Sequence, residues 1–132
     1  MTVSINFEWF AIYVAINTLI LLLLGMNISR LRIKHKVSNG DGDCRPLMKA
    51  IRAHANGVEH SVLYGMAILA MALLGLNAMW LSILVMAFSV SRILHAHGML
   101  NSNFTARRVG AGITFLLQGV SVIIIGYLVL SA

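Results

Sequence analysis

The sequence is poor in acid, in cysteine and in charge of either sign. Four Asp and Glu, ten Lys and Arg, and 11% charged residues stand against 59% hydrophobic ones in 132 residues. Soluble domains carry about 25% charged and about 45–50% apolar residues, so an ordinary soluble fold is excluded. Cys44 is the one cysteine, which rules out an intrachain disulfide and any CxxC metal or redox motif. The histidines supply no substitute. His54 and His60 are six apart, His95 and His97 two apart, and no HExxH occurs, so no metal site is expected.

The formal net charge of +6 would on another composition suggest nucleic acid. Here the mean hydropathy is +0.87 and the cations lie between long apolar runs, a pattern that points to a bilayer and not to nucleic acid. From Trp9 to Ser29 there is no Asp, Glu, Lys or Arg across 21 residues, enough for a helix to cross a hydrocarbon core of about 30 Å. This leader has Glu8 and no basic n-region, so it is expected to stay as a span and not to be cleaved.

A polar stretch follows from Arg30 to Lys49, with the turn signal Asn39-Gly40-Asp41-Gly42-Asp43 inside it; it reads as the one real loop. Between Glu59 and Arg92 lie 32 residues with no acid, Lys or Arg, broken by Gly75-Leu76-Asn77, a helix stop and turn. Two crossings of about 20 residues do not fit in that gap, so Glu59 and Arg92 are placed inside membrane helices. At about 1.5 Å per residue both lie roughly 22–24 Å from the hairpin tip. Val109 to Leu130 supplies a last apolar run after Arg107 and Arg108. The fold class expected is an all-α integral membrane bundle of four helices in one domain, residues 1–132, with spans about 8–28, 52–74, 78–98 and 109–130. Cations cluster in the first loop and before the fourth helix, which puts both termini outside. Two stripes of small residues, Gly57/Ser61/Gly65 and Gly112/Gly119/Gly126, allow close helix approach.

Arg52, Asn56 and Glu59 recur at i, i+4 and i+7, and Arg92, His95 and Met99 at i, i+3 and i+7, so each set forms one helical stripe. Two readings stay open at this level. Ionisable groups inside a membrane often mark a functional site, here a cationic pocket with one carboxylate that suits a small zwitterionic, net-anionic peptide. Alternatively Glu59 and Arg92 neutralise each other while Arg52 snorkels to the headgroups.

The runs Arg32-Ile33-Lys34-His35-Lys36-Val37 with Gly40-Asp41-Gly42, Arg52-Ala53-His54-Ala55-Asn56-Gly57-Val58-Glu59, Ser91-Arg92-Ile93-Leu94-His95 and Arg107-Arg108 together resemble the MAPEG proteins. These are membrane-associated proteins in eicosanoid and glutathione metabolism, and the form is similar to the short prokaryotic members. The resemblance implies a homotrimer in the cell inner membrane, with glutathione held between protomers near the cytoplasmic face. It further implies a transferase or peroxidase acting on a lipophilic electrophile from the bilayer. By that similarity Arg52, Asn56, Glu59, Arg92 and His95 bind glutathione, and Arg108, favoured over Arg107 by its spacing from Arg92, stabilises the thiolate. Tyrosines of the eicosanoid-metabolising members are replaced by His95, Met99 and Ala111 or Gly112. Two other classes of function fit four short spans with one intramembrane carboxylate: a small proton-coupled multidrug exporter, and a non-catalytic membrane subunit.

Overall fold

A computed structural model describes residues 6–131. The chain forms four helices: α1 Phe7–His35, α2 Arg45–Leu73, α3 Ala78–Leu100 and α4 Phe104–Leu130. Cross-helix contacts fix an up-down-up-down order. Tyr13 and Leu21 of α1 meet Gly65 and Gly57 of α2, Asn56 of α2 meets Arg92 of α3, and His95 of α3 meets Gly110 of α4.

Helices α1, α3 and α4 are each long and apolar enough to cross a membrane. The sequence leads one to expect four such spans, and α2 is the helix outside this set. It carries Arg45, Lys49, Arg52 and Glu59, which lower its hydropathy. Its 29 residues still extend about 43 Å, antiparallel to α1 and α3 along their length.

The polar stretch expected as a loop from Arg30 to Lys49 is helical at both ends, and the loop itself is confined to residues 36–44. Helix α1 continues to His35 and α2 begins at Arg45, because Arg30, Arg32 and Lys34 are good helix formers at the negative end of the α1 dipole. Lys36 ends α1 in the left-handed region, and its N–H reaches the Arg32 and Ile33 carbonyls. Arg32 then donates from Nη1 to the Gly40 carbonyl at 2.8 Å, which folds the short turn back over the helix end. At the opposite end Gly75 takes a φ of 83°, as the stop signal there predicts, and the Asn77 side chain caps α3 by accepting from the Met79 N–H at 2.8 Å.

The half of the bundle toward the Gly75 hairpin packs Tyr13, Tyr64, Ile68, Met71, Leu81, Leu84, Val85 and Phe88 into one cluster. Tyr64 and Phe88 stack with centroids 3.9 Å apart. Near the cation-rich end a second cluster joins Leu31, Leu47 and Ala50. Leu22, Leu23, Leu63, Ile93, Leu116 and Ile123 point outward, an arrangement that is costly in water and natural in lipid.

The two small-residue stripes have different fates. On α2, Gly57 and Gly65 face α1: a Cβ would lie 2.8 Å from Leu21 and 2.9 Å from Tyr13, so the absent side chain is what lets α1 seat. On α4, Gly112, Gly119 and Gly126 have no neighbour within 4 Å. The close approach of α4 to α3 is made by Gly98 and Gly110, where a Cβ would come within 2.3 Å of Arg107 N and 2.6 Å of His95 N.

Candidate functional site

Where α2, α3 and α4 meet, a polar cluster interrupts the apolar interior. Arg92 is 3% exposed. Its Nη2 donates to Asn56 Oδ1 at 2.7 Å and its Nη1 to Thr114 Oγ1 at 3.3 Å. Thr114 in turn donates to the Gly110 carbonyl at 2.8 Å and lies 3.1 Å from Ser91 Oγ. Three helices thus share one guanidinium. Gly110 is what admits it, because its lack of a side chain brings α4 against the α3 backbone at His95.

His95 Nδ1 lies 3.3 Å from Arg92 Nη2. A guanidinium has only donors, so this nitrogen must accept, and the imidazole is neutral with its proton on Nε2. The buried Nε of Arg92 has no partner. No carboxylate is among the groups hydrogen-bonded to this arginine, so the reading in which Glu59 neutralises it by direct pairing is not what the structure shows.

Of the residues singled out from sequence, Asn56, Arg92 and His95 come together. Arg52 and Glu59 are exposed on α2, one turn to either side of Asn56, beside the α2–α4 seam where His60 meets the Phe115 ring edge-on at 5.5 Å. Arg108 is also exposed, with its guanidinium 5.4 Å from the Phe104 ring centre. Arg107, not Arg108, shares a helical face with Gly110 and Thr114, at i+3 and i+7. Arg107 lines one cavity of the single chain and Arg108 another, apart from the Arg92 cluster, where Arg92 is a buried floor and Arg52 and Glu59 an exposed rim. Among the described residues no group of three His, Cys, Asp or Glu could hold a metal ion.

Thr114 and Ser91 were not anticipated. The one available signal was the run Arg107, Gly110, Thr114, which places a hydroxyl on the same face as a cation. A second polar cluster nearer the middle of the bundle was also missed. Asn17 Nδ2 donates to Ser89 Oγ at 3.1 Å, Ser61 Oγ lies 3.5 Å from Asn17 Oδ1, and Tyr13 donates to the Ser61 carbonyl at 2.7 Å. Isolated serines in apolar helices give no sequence signal for this.

The MAPEG family pattern matches residues 10–127. This chain belongs to the MAPEG family. It is 30% identical over 105 residues, 80% of each chain, to inner membrane protein YecN of Escherichia coli K12. It is equally similar to inner membrane protein YecN of Escherichia coli O6:H1. No solved structure matches. The chain is therefore a multi-pass membrane protein of the MAPEG family, and the match spans the stripe on α2, the Arg92 cluster on α3 and both arginines of α4.

Proposed function

We propose that this MAPEG protein binds glutathione at the Arg92 cluster and presents its thiol to lipophilic electrophiles from the bilayer. One observation carries the reading: a buried guanidinium whose Nε has no partner and whose hydrogen bonds go only to neutral groups. A buried charge without a counter-ion is costly, and an anionic ligand offsets that cost.

The residues present fit such a peptide. Arg92 would receive a carboxylate through its free donor. Asn56 gives its oxygen to Arg92 and keeps its amide N–H groups for the ligand. At the rim, Arg52 would hold a second carboxylate and Glu59 the ammonium, in surroundings where little water weakens each contact. When bound, glutathione supplies a thiol with an ordinary pKa near 8.5, which needs nearby positive charge to become a nucleophile at neutral pH. Arg108, by similarity, would provide that charge electrostatically. His95, with Nδ1 committed to Arg92, has only its Nε2–H left to donate.

The single chain leaves Arg52 and Glu59 exposed, and α4 carries the uncovered Gly112, Gly119 and Gly126 on a face of its own. A second copy packed against the chain would wall the pocket, in keeping with the homotrimer the family resemblance implies. In this reading α2 is a fourth span, both termini lie outside, and the protein sits in the inner membrane like the YecN relatives. The exporter reading is less well supported, because Glu59 lies on an exposed face at the level of Asn56, while the mid-bundle polar residues Asn17, Ser61 and Ser89 are neutral.

The test is equilibrium binding of glutathione to the purified protein and to Arg92→Met. Binding by the wild type and its loss in the variant are expected. Absence of binding by the wild type would remove the functional reading and leave the fold.

A further inference from the structure

Toward the cation-rich end of the bundle, beyond the Arg92 cluster, α2, α3 and α4 border an open cavity of about 230 Å³ lined by Lys49, Gly98, Met99, Ser102, Phe104 and Arg107. We infer that this niche binds the phosphate of an anionic phospholipid headgroup. The inference stands apart from the glutathione reading, since it uses none of the residues assigned to that ligand.

The charge is the first reason. Lys49 and Arg107 belong to the opening turns of α2 and α4, and neither helix has an acidic residue in its first turn. Cations at the positive end of a helix dipole are unfavourable on their own, so an anion from outside improves the local electrostatics. The second reason is how the donors are held. Lys49 Nζ contacts Ser102 Oγ, which ties the α2 cation to the turn between α3 and α4. Gly98 lets the α4 backbone press on α3 where a Cβ would come within 2.3 Å of Arg107 N, so the wall bearing Arg107 is fixed.

Phe104 distinguishes a lipid from a free phosphate. It lines the same cavity, yet is 64% exposed, as interfacial aromatic residues are at headgroup level. The apolar run of α4 starts at Val109, which sets Arg107 at the boundary between hydrocarbon and water. A phosphodiester held by Lys49, Ser102 and Arg107 would leave its glycerol against Phe104 and its chains in the bilayer. Basic pockets between membrane helices on the cation-rich side hold anionic lipids in this way.

The experiment is native mass spectrometry of the full chain in detergent, titrated with dioleoylphosphatidylglycerol, dioleoylphosphatidylcholine or inorganic phosphate. Phosphatidylglycerol is expected to be preferred over phosphatidylcholine, and Lys49→Gln with Arg107→Gln to weaken its binding by about thirtyfold. Lys34→Gln with Lys36→Gln removes the same charge from the end of α1 and its cap, and is expected to leave the preference intact. Arg107→Lys keeps the charge and is expected to retain it too, which separates loss of the site from misfolding of the double variant. A preference that survives the double variant, that falls equally in the α1 control, or that inorganic phosphate matches in affinity would overturn the assignment.

Discussion

Arg92 and Asn56 join α3 to α2 through a single 2.7 Å hydrogen bond, from Nη2 to Oδ1, inside the membrane domain. The pair explains why a charge is tolerated at this depth. Asn56, His95 and Thr114 accept from the two terminal nitrogens, and Nε is left without a partner.

The two partners should differ in what their loss does to stability. Asn56→Ala strips a neutral acceptor from a buried cation and is expected to destabilise the fold by about 1–2 kcal/mol. Arg92→Met removes the charge itself and is expected to be close to neutral. Unfolding of the purified protein in mixed micelles, followed by circular dichroism, compares them; equal losses would contradict the unpaired-cation account.

The His95 tautomer is open to direct observation. Because Arg92 can only donate, His95 must be neutral at pH 7 with Nδ1 bare and the proton on Nε2. Imidazole nitrogen-15 shifts report this state, and an imidazolium pattern would break the geometry described.

The glycines separate into two classes. Gly98→Ala and Gly110→Ala place a methyl group against the facing backbone and are expected to cost about 1–3 kcal/mol each. Gly119→Ala meets nothing in the chain and is expected to change unfolding of the protomer by less than about 0.5 kcal/mol. If a second copy packs on the open face of α4, the same change lowers the oligomer fraction in cross-linking while the protomer stays folded.

In the mid-bundle cluster, Asn17→Leu deletes the hydrogen bond to Ser89. Interhelical hydrogen bonds in membranes are worth about 0.6 kcal/mol on average, so a loss of that order is expected in the same micelle assay. A loss several times larger would mean that the cluster locks α1 in place.

Much of this arrangement was legible in the order of the residues. Of the four spans expected, three are long and apolar enough to cross a membrane and α2 is not, while the gap between Glu59 and Arg92, too short for two crossings, placed both charges in helices as found. The hairpin at Gly75 and the small stripe Gly57/Ser61/Gly65 also read correctly. The end of α1 did not, because a cluster of cations looks like a loop when hydropathy is the only guide, although Arg and Lys are good helix formers. The site was legible in part. Asn56, Arg92 and His95 converge as their shared stripe positions suggest, but depth along a helix does not fix direction around it, so the separation of Glu59 from Arg92 had to be seen. Thr114 was missed since a threonine in an apolar run carries no mark of what it faces.

The most direct test is calorimetric titration of glutathione into the purified, detergent-solubilised protein and into Arg92→Met and Glu59→Gln. Saturable binding by the wild type is expected, weakened about 10- to 100-fold in each variant by loss of a charge-assisted contact. Wild-type affinity retained in Arg92→Met would contradict the account, since the buried cation would then have no part in holding the ligand.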